Sequence, residues 1–240
     1  GDSVQHRGGH ISTKRLGRLL GRIGIGSGAT RTALSRLAAD GWVEGQRAGR
    51  SASYRLTAEG RARFGPANAR IFAPPPDGPR DLWVFDSNPD EQGLRVAGGV
   101  LKPAPEKPGT GGFRMVGTPL PGSAEAVWAA LDLRHRQALE RLVADLDALQ
   151  PGLEDPLDAI AARTLLVHRW RRIVLRWPEL PPEFTPEHVS PNALRSAVAL
   201  AYTRLSPLAE RWLDMADSEM PAMPEAAKGF ARRFDSEQIP

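Results

Sequence analysis

The stretch "GIGSGATRTALSRLAADGWVE", residues 24–44, decides the fold because it admits two readings. Gly24-Ile25-Gly26-Ser27-Gly28-Ala29 satisfies G-x-G-x-x-[GA], and Glu44 lies twenty residues after Gly24, as in a dinucleotide-binding loop. Such a loop must follow a buried parallel strand, which aims the next helix N-terminus at a pyrophosphate. The preceding residues are not that strand. In "STKRLGRLLGRIG", residues 12–24, Leu16, Leu19, Leu20 and Ile23 recur at helical spacing, with Arg15, Arg18 and Arg22 on the other side. Three arginines would be costly to bury in a central strand. The pattern is an amphipathic helix with a basic face, and the glycines read as a turn between two helices.

Ser12 is expected to cap the first helix and Ser27 the second. Ala29, Ala33, Leu34 and Leu37 give the second helix an apolar side; Thr30, Arg31, Ser35 and Arg36 give it a polar one, with Thr32 on the flank. Short hydroxyls and arginines near a helix N-terminus suit phosphate and major-groove contacts. Glycine at 24, 26 and 28 is expected to let the helices cross closely. Next, "GWVEGQRAGRSASYRLT" reads as strand, basic turn, strand. Val43 starts the first strand, Arg47-Ala48-Gly49-Arg50 forms the tip, and Tyr54 and Leu56 return to the core. This is a β-wing whose arginines neutralise phosphates. Residues 1–73 are therefore expected to form a winged helix-turn-helix, with Lys14, Ser27, Thr30, Arg31, Thr32, Ser35, Arg36, Arg47 and Arg50 as DNA contacts.

Charge supports that division. Residues 1–73 hold 13 Lys/Arg against four Asp/Glu, about +9, while the rest of the 240-residue chain holds 19 against 24, about −5. A basic head on a mildly acidic body is a footprint of nucleic-acid binding, the alternative being a solvated basic surface. Composition is otherwise that of a globular protein, 41% hydrophobic and 25% charged. Cys is absent, which removes disulfides, thiolate zinc sites and cysteine catalysis, and suits a cytoplasmic protein. The five His lack metal-type spacing, and no apolar run approaches the roughly 18 residues of a membrane span. No cofactor, metal or membrane partner is expected. The polar, basic start lacks an initiator Met and reads as a processed or trimmed chain.

After residue 73, "APPPDGPRD" reads as a short stiff linker. Residues 80–122 are Gly/Pro-rich, with strand-like runs "LWVFD" and "FRMVGTPL"; residues 123–220 are helical, and the tail after Met220 reads as weakly structured. Leu131, Ala138, Leu142, Leu146 and Leu149 stripe the first helix of this region, with His135 packed on the seam. Asp155-Pro156 opens the second and Ser190-Pro191 the third, as N-cap followed by proline. Leu194, Val198, Ala201, Leu205, Leu208, Trp212 and Met215 form a packing seam along the third, which Pro207 is expected to kink.

"GDSVQHRGGHIST", "TRTALSRLAADGWVE", "YRLTAEGRARF" and "LLVHRWRRIVLRWPELPPEF", in this order and spacing, resemble the PaaX family of bacterial transcriptional repressors of phenylacetic acid degradation. The likeness is strongest over residues 1–73 and 157–215. It implies an α+β, mainly α chain: a winged-helix head (1–73), a small central α/β domain of ferredoxin-like, Cas2-like type (80–122), and a C-terminal helical domain for dimerisation and effector binding (123–220). It also implies a helix ahead of Gly1, a homodimer on a double-stranded DNA operator, and relief of repression by an aryl-acyl-CoA such as phenylacetyl-CoA.

Within "LLVHRWRRIVLRW", Leu166, Trp170, Ile173, Val174 and Trp177 face one way, and His168, Arg169, Arg172 and Arg176 another. Guanidinium forks can hold the phosphates of a CoA ester, so these four are the candidate effector residues. The competing reading pairs them with Asp155, Asp158 and Glu179. Asp86, closing "LWVFD", occupies the place of a metal-binding aspartate in Cas2-type nucleases, which defines a rival reading; a DNA-binding dimer without ligand response is another. The sequence is read as a regulator rather than an enzyme.

Overall fold

The computed structural model describes residues 2–48, 51–76, 80–87, 93–96, 98–104, 113–190, 193–217, 220–227 and 233–235. It is a mixed α/β chain, predominantly helical, with two small antiparallel sheets. The chain divides into two compact units, one of Gly1–Pro74, Leu149–Arg169 and Leu200–Pro240, the other of Pro75–Ala148 and Trp170–Ala199.

The first unit opens with a short helix α1 (Asp2–Gln5), strand β1 (His10–Ser12) and helices α2 (Thr13–Arg22) and α3 (Ser27–Ala39). Strands β2 (Val43–Ala48) and β3 (Ser51–Leu56) follow, then helix α4 (Ala58–Ile71). Ser12 caps α2 as expected, its hydroxyl accepting from the Arg15 amide at 3.1 Å. The opening glycines have distinct roles. Gly24 adopts φ +82° after α2, its amide donating to the Gly21 carbonyl while the Ile25 amide reaches the Leu20 carbonyl. That hydrogen-bond pair is a Schellman ending, which favours glycine at the left-handed position. Gly41 ends α3 identically, with Gly41 on Ala38 and Trp42 on Leu37. Gly26 and Gly28, by contrast, have open space where a Cβ would stand, so close helix crossing does not require them. Gly26, not Ser27, is the N-cap of α3.

β1 was not legible as a strand. It pairs with β3 in a sheet ordered β1-β3-β2, so the hairpin rests on residues that precede the helix pair. Apolar Leu16 and Leu19 of α2, with Ile23 just after it, pack with Ile11 against Ile160 of helix α7 (Pro156–Val174) and Trp212 and Leu213 of helix α8 (Leu194–Asp214), at stretches of those helices that belong to this unit. Asp155 caps α7, accepting from the Asp158 amide at 2.9 Å ahead of Pro156. Pro191 lies outside the described residues. The α8 seam is buried except at Leu208, which is half-buried, and Met215, exposed just beyond the helix.

The second unit holds β4 (Trp83–Asp86), β5 (Leu94–Val96), β6 (Gly99–Pro103) and β7 (Arg114–Gly117), then α5 (Ser123–Ala130), α6 (Leu133–Ala148) and a 3-10 turn (Pro182–Phe184). The sheet order is β5-β6-β4-β7, and all three pairings are antiparallel. Among the described residues no helix lies between these strands, and the sheet is small and antiparallel. Trp83, Phe85, Leu101 and Met115 share one face by register. Trp83 meets Phe184 edge-on at 4.9 Å. On α6, Leu139, Leu142 and Leu146 are buried, and His135 is buried and stacked parallel on Trp177, centroids 4.9 Å apart.

Candidate nucleic-acid interface

α2 and α3 are both basic in sequence but use their cations differently. The α2 arginines are structural. Arg15 is fully buried: its guanidinium donates to the carbonyls of Trp212 at 2.6 Å, Met215 at 2.5 Å and Pro221 at 2.8 Å, and lies 4.9 Å from the Trp212 ring. The last carbonyls of a helix lack intrahelical partners and carry its negative dipole end, so a buried guanidinium satisfies both demands at the end of α8. Arg18 pairs with Asp217 at 2.7 Å and Arg22 with Asp158 at 2.5 Å. Each arginine of the basic face read from the sequence therefore meets acceptors of the chain's own fold, Arg15 in the core and Arg18 and Arg22 at the surface.

α3 buries only Thr30 and Leu34. Ser27, Arg31, Thr32, Ser35 and Arg36 are exposed along it, and so are Ala29, Ala33 and Leu37. Thr30, expected among the DNA contacts, is a correction: it is 5% exposed, and its hydroxyl donates to the Gly26 carbonyl at 3.1 Å. Thr32 donates to the Gly28 carbonyl at 3.1 Å but stays exposed. Lys14 is exposed on the first turn of α2. Arg47 is exposed on β2 opposite Ala52, next to the hairpin tip, and Arg50 lies outside the described residues. On the same hairpin, Arg55 pairs with Glu44 at 2.7 Å, which gives Glu44 a partner without any ribose.

The sequence reading missed a buried ion cluster in this unit. Glu210 on α8 takes Arg7 at 2.7 Å, His6 at 3.2 Å and the fully buried Arg163 at 2.7 Å, and Arg7 also reaches Asp214 at 2.5 Å. Burial alone would raise the Glu210 carboxyl; the His6 hydrogen bond and the Arg163 charge outweigh it and hold it at about 2. No local pattern announces this cluster, because His6 and Arg7 lie about two hundred residues before Glu210 and Arg163 lies 47 before it.

The four candidate effector residues fall on and just after α7. His168 and Arg172 are exposed one turn apart, Arg169 is half-buried, and Arg176 is exposed with its guanidinium 4.8 Å from the Trp177 ring. Of the acids expected to compete for them, Asp158 pairs with Arg22 and Glu179 with Arg195 at 2.5 Å, while His168 and Arg169 have partners of their own within the chain. The second unit also has a cavity of about 330 Å³ lined by Trp83, Phe85, Met115, Val127 and Phe184. The strand-like runs "LWVFD" and "FRMVGTPL" were its sequence signals. Asp86 is fully buried between Lys102 Nζ at 3.1 Å and Arg114 Nε at 2.7 Å. Two cations already hold that carboxylate, which speaks against its serving a catalytic metal.

Among the described residues, no helix is long and apolar enough to cross a membrane. In comparisons with known proteins, residues 1–60 match the PaaX-like protein family and residues 128–215 match the PaaX-like protein C-terminal domain, together more than half of the chain. Transcriptional repressor PaaX of Escherichia coli (strain K12) is 27% identical over 274 residues, which covers 98% of this chain and 87% of that protein. Among solved structures, the uncharacterized protein Rv0674 from Mycobacterium tuberculosis aligns with a TM-score of 0.44 at 17% identity, over 84% of this chain and 90% of that one. The two matched regions, in the right order and with the relative aligned over 98% of this chain, place this chain in the family of PaaX-like proteins.

Proposed function

We propose that this chain is a DNA-binding transcriptional repressor of an aromatic-acid, phenylacetate-type catabolic operon, with repression relieved by an aryl-acyl-CoA. It is a regulator, not an enzyme. The observation that carries the reading is the likeness, along 98% of the chain, to a protein named as a transcriptional repressor. The exposed polar row on α3 supports it physically.

In this reading residues 1–73 are a winged helix-turn-helix. α3 enters the major groove, where Arg31 and Arg36 reach base edges and Ser27, Thr32 and Ser35 meet bases or phosphates. Lys14, Arg47 and Arg50 neutralise phosphates around it. Residues 80–122 and 123–220 form the body of a cytoplasmic homodimer, and the basic stretch 168–176 supplies charge for the CoA phosphates. Two heads must match half-sites about 34 Å apart or a multiple of that, so a ligand that alters head spacing lowers operator affinity.

The test is fluorescence anisotropy on promoter DNA from upstream of the protein's own gene, titrated with phenylacetyl-CoA. Tight binding released by the ester, but not by free CoA or phenylacetate, is the expected result. Absence of sequence-specific binding would overturn the reading, and tight binding unmoved by the ester would remove its effector.

A further inference from the structure

α3 passes into β2 through Asp40, Gly41 and Trp42, and the start of α4 is built onto that link. Thr57, which caps α4, donates its hydroxyl to the Gly41 carbonyl at 2.7 Å and accepts from the Gly60 amide at 2.9 Å. Its own amide donates to the Trp42 carbonyl at 3.2 Å. Further along α4, the Phe64 ring meets the Trp42 ring with centroids 5.2 Å apart, and the Arg63 guanidinium stands 5.2 Å from that same ring. The closest approach is at Gly60, buried in the first turn of α4: a Cβ there would stand 2.4 Å from the Trp42 carbonyl oxygen. A backbone carbonyl cannot swing aside as the end of a flexible side chain can. Gly65, on the same helix, has open space where its Cβ would stand. Glycine inside a helix is disfavoured relative to alanine; at position 60 the close contact supplies a reason for it.

We infer that Gly60 is a positioning residue for DNA binding: by letting α4 seat on the Trp42 carbonyl, it fixes the angle at which the hairpin leaves α3. The inference rests on the winged helix-turn-helix reading above, in which α3 and the hairpin reach one duplex together. Arg36 stands exposed on α3 and Arg47 exposed on β2, and the link that α4 grips is the chain between their two elements. With a side chain at position 60, the link must move by about 1 Å to bring the contact from 2.4 Å to the ordinary 3.4 Å. A tilt at the link grows along the strand, which rises about 3.4 Å per residue, so Arg47, four residues beyond Val43, is displaced farther than the link itself. A hydrogen bond from arginine to a phosphate weakens once it is stretched past about 3.2 Å. The hairpin contact is therefore the one that depends on Gly60, and the α3 contacts are not.

The test is a double-mutant cycle on the full chain, read by fluorescence anisotropy on the same promoter DNA across salt concentrations, with circular dichroism melting as the check on folding. In the wild-type background Arg47→Ala lowers the salt slope by about one. Gly60→Ala should lower it by at least as much, and adding Arg47→Ala to it should change nothing further. Arg36→Ala should cost the same fold in affinity in both backgrounds, and Gly65→Ala should bind as wild type does. A variant that merely unfolds part of the population would weaken binding and leave the Arg47→Ala effect intact. A full Arg47→Ala effect in the Gly60→Ala background would therefore overturn the inference. So would an Arg47→Ala without effect in the wild-type background, an Arg36→Ala cost that vanishes together with that of Arg47→Ala, or a Gly65→Ala that matches Gly60→Ala. Each of these leaves the DNA-binding reading standing. A wild-type chain without sequence-specific DNA binding would overturn both. Should Gly60→Ala not fold, Thr57→Val takes its place: it removes the hydroxyl that ties the cap of α4 to Gly41, and the same loss of the Arg47→Ala effect is expected.

Discussion

α2 and α3 adjoin in sequence, and both carry arginines at helical spacing, yet the arginines of α2 meet acceptors within the chain while Arg31 and Arg36 of α3 stand exposed. Arg15, Arg18 and Arg22 meet carbonyls or carboxylates supplied by α7, α8 and the residues after α8. Arg31 and Arg36 stand on a helix that buries only two side chains. The difference teaches that a basic helical face is not by itself a nucleic-acid surface. What decides is whether the rest of the chain brings acceptors to it.

Breaking the buried Arg15 contacts should cost the most. Arg15→Ala leaves three carbonyls without their donor and opens a cavity beside Trp212, so denaturant unfolding should show a loss of about 3–4 kcal/mol. Arg15→Lys should recover only part of it, because an ammonium lacks the planar fork. A loss below about 1 kcal/mol would mean the guanidinium is not the staple described.

Next in size is a pH effect. Burial lowers His135 to about 4, against a smaller opposing pull from Asp132. The folded value lies below the unfolded one, so stability is full above pH 6.5 and declines as pH falls from about 6.5 to 4, by up to about 3 kcal/mol. Glu210, depressed to about 2, adds a second loss from about pH 4.5 downward. In His135→Phe the upper slope should flatten while the lower one stays. An unchanged upper slope would assign it to another group.

The outward set should behave oppositely. Arg31→Ala should weaken operator binding by about 1–3 kcal/mol if it reads a base, with stability unchanged within about 0.5 kcal/mol. Arg47→Ala should weaken all sequences alike and reduce the salt slope by about one, readable from anisotropy titrations across salt concentrations. Smallest of all, Arg22→Ala should leave the unfolding midpoint close to wild type in a denaturant titration, since its pair with Asp158 is half-exposed.

What was legible follows the range of the forces involved. The α2 stripe, the Ser12 and Asp155 caps, the Gly24 turn and the Val43–Leu56 hairpin depend on residues a few positions apart, and all are present. Arg15 looked like a surface cation because its acceptors lie about 200 residues away. Thr30 and Arg31 were placed together because helical spacing alone does not say which of two neighbours faces the core. The β5-β6-β4-β7 order escaped the sequence because strands of three to five residues carry too little alternation to fix their partners. Of the candidate site, the residue types on α3 were legible; the use of the α2 arginines within the chain's own fold was not.

The most direct test of the contrast is operator affinity measured side by side for Arg36→Ala on α3 and Arg18→Ala on α2, by anisotropy on one DNA fragment. Arg36→Ala should lose about 5- to 150-fold, the equivalent of about 1–3 kcal/mol, and Arg18→Ala should stay near wild type. Equal losses, or a larger loss for Arg18→Ala, would contradict the assignment of α3 to the DNA and of α2 to the fold.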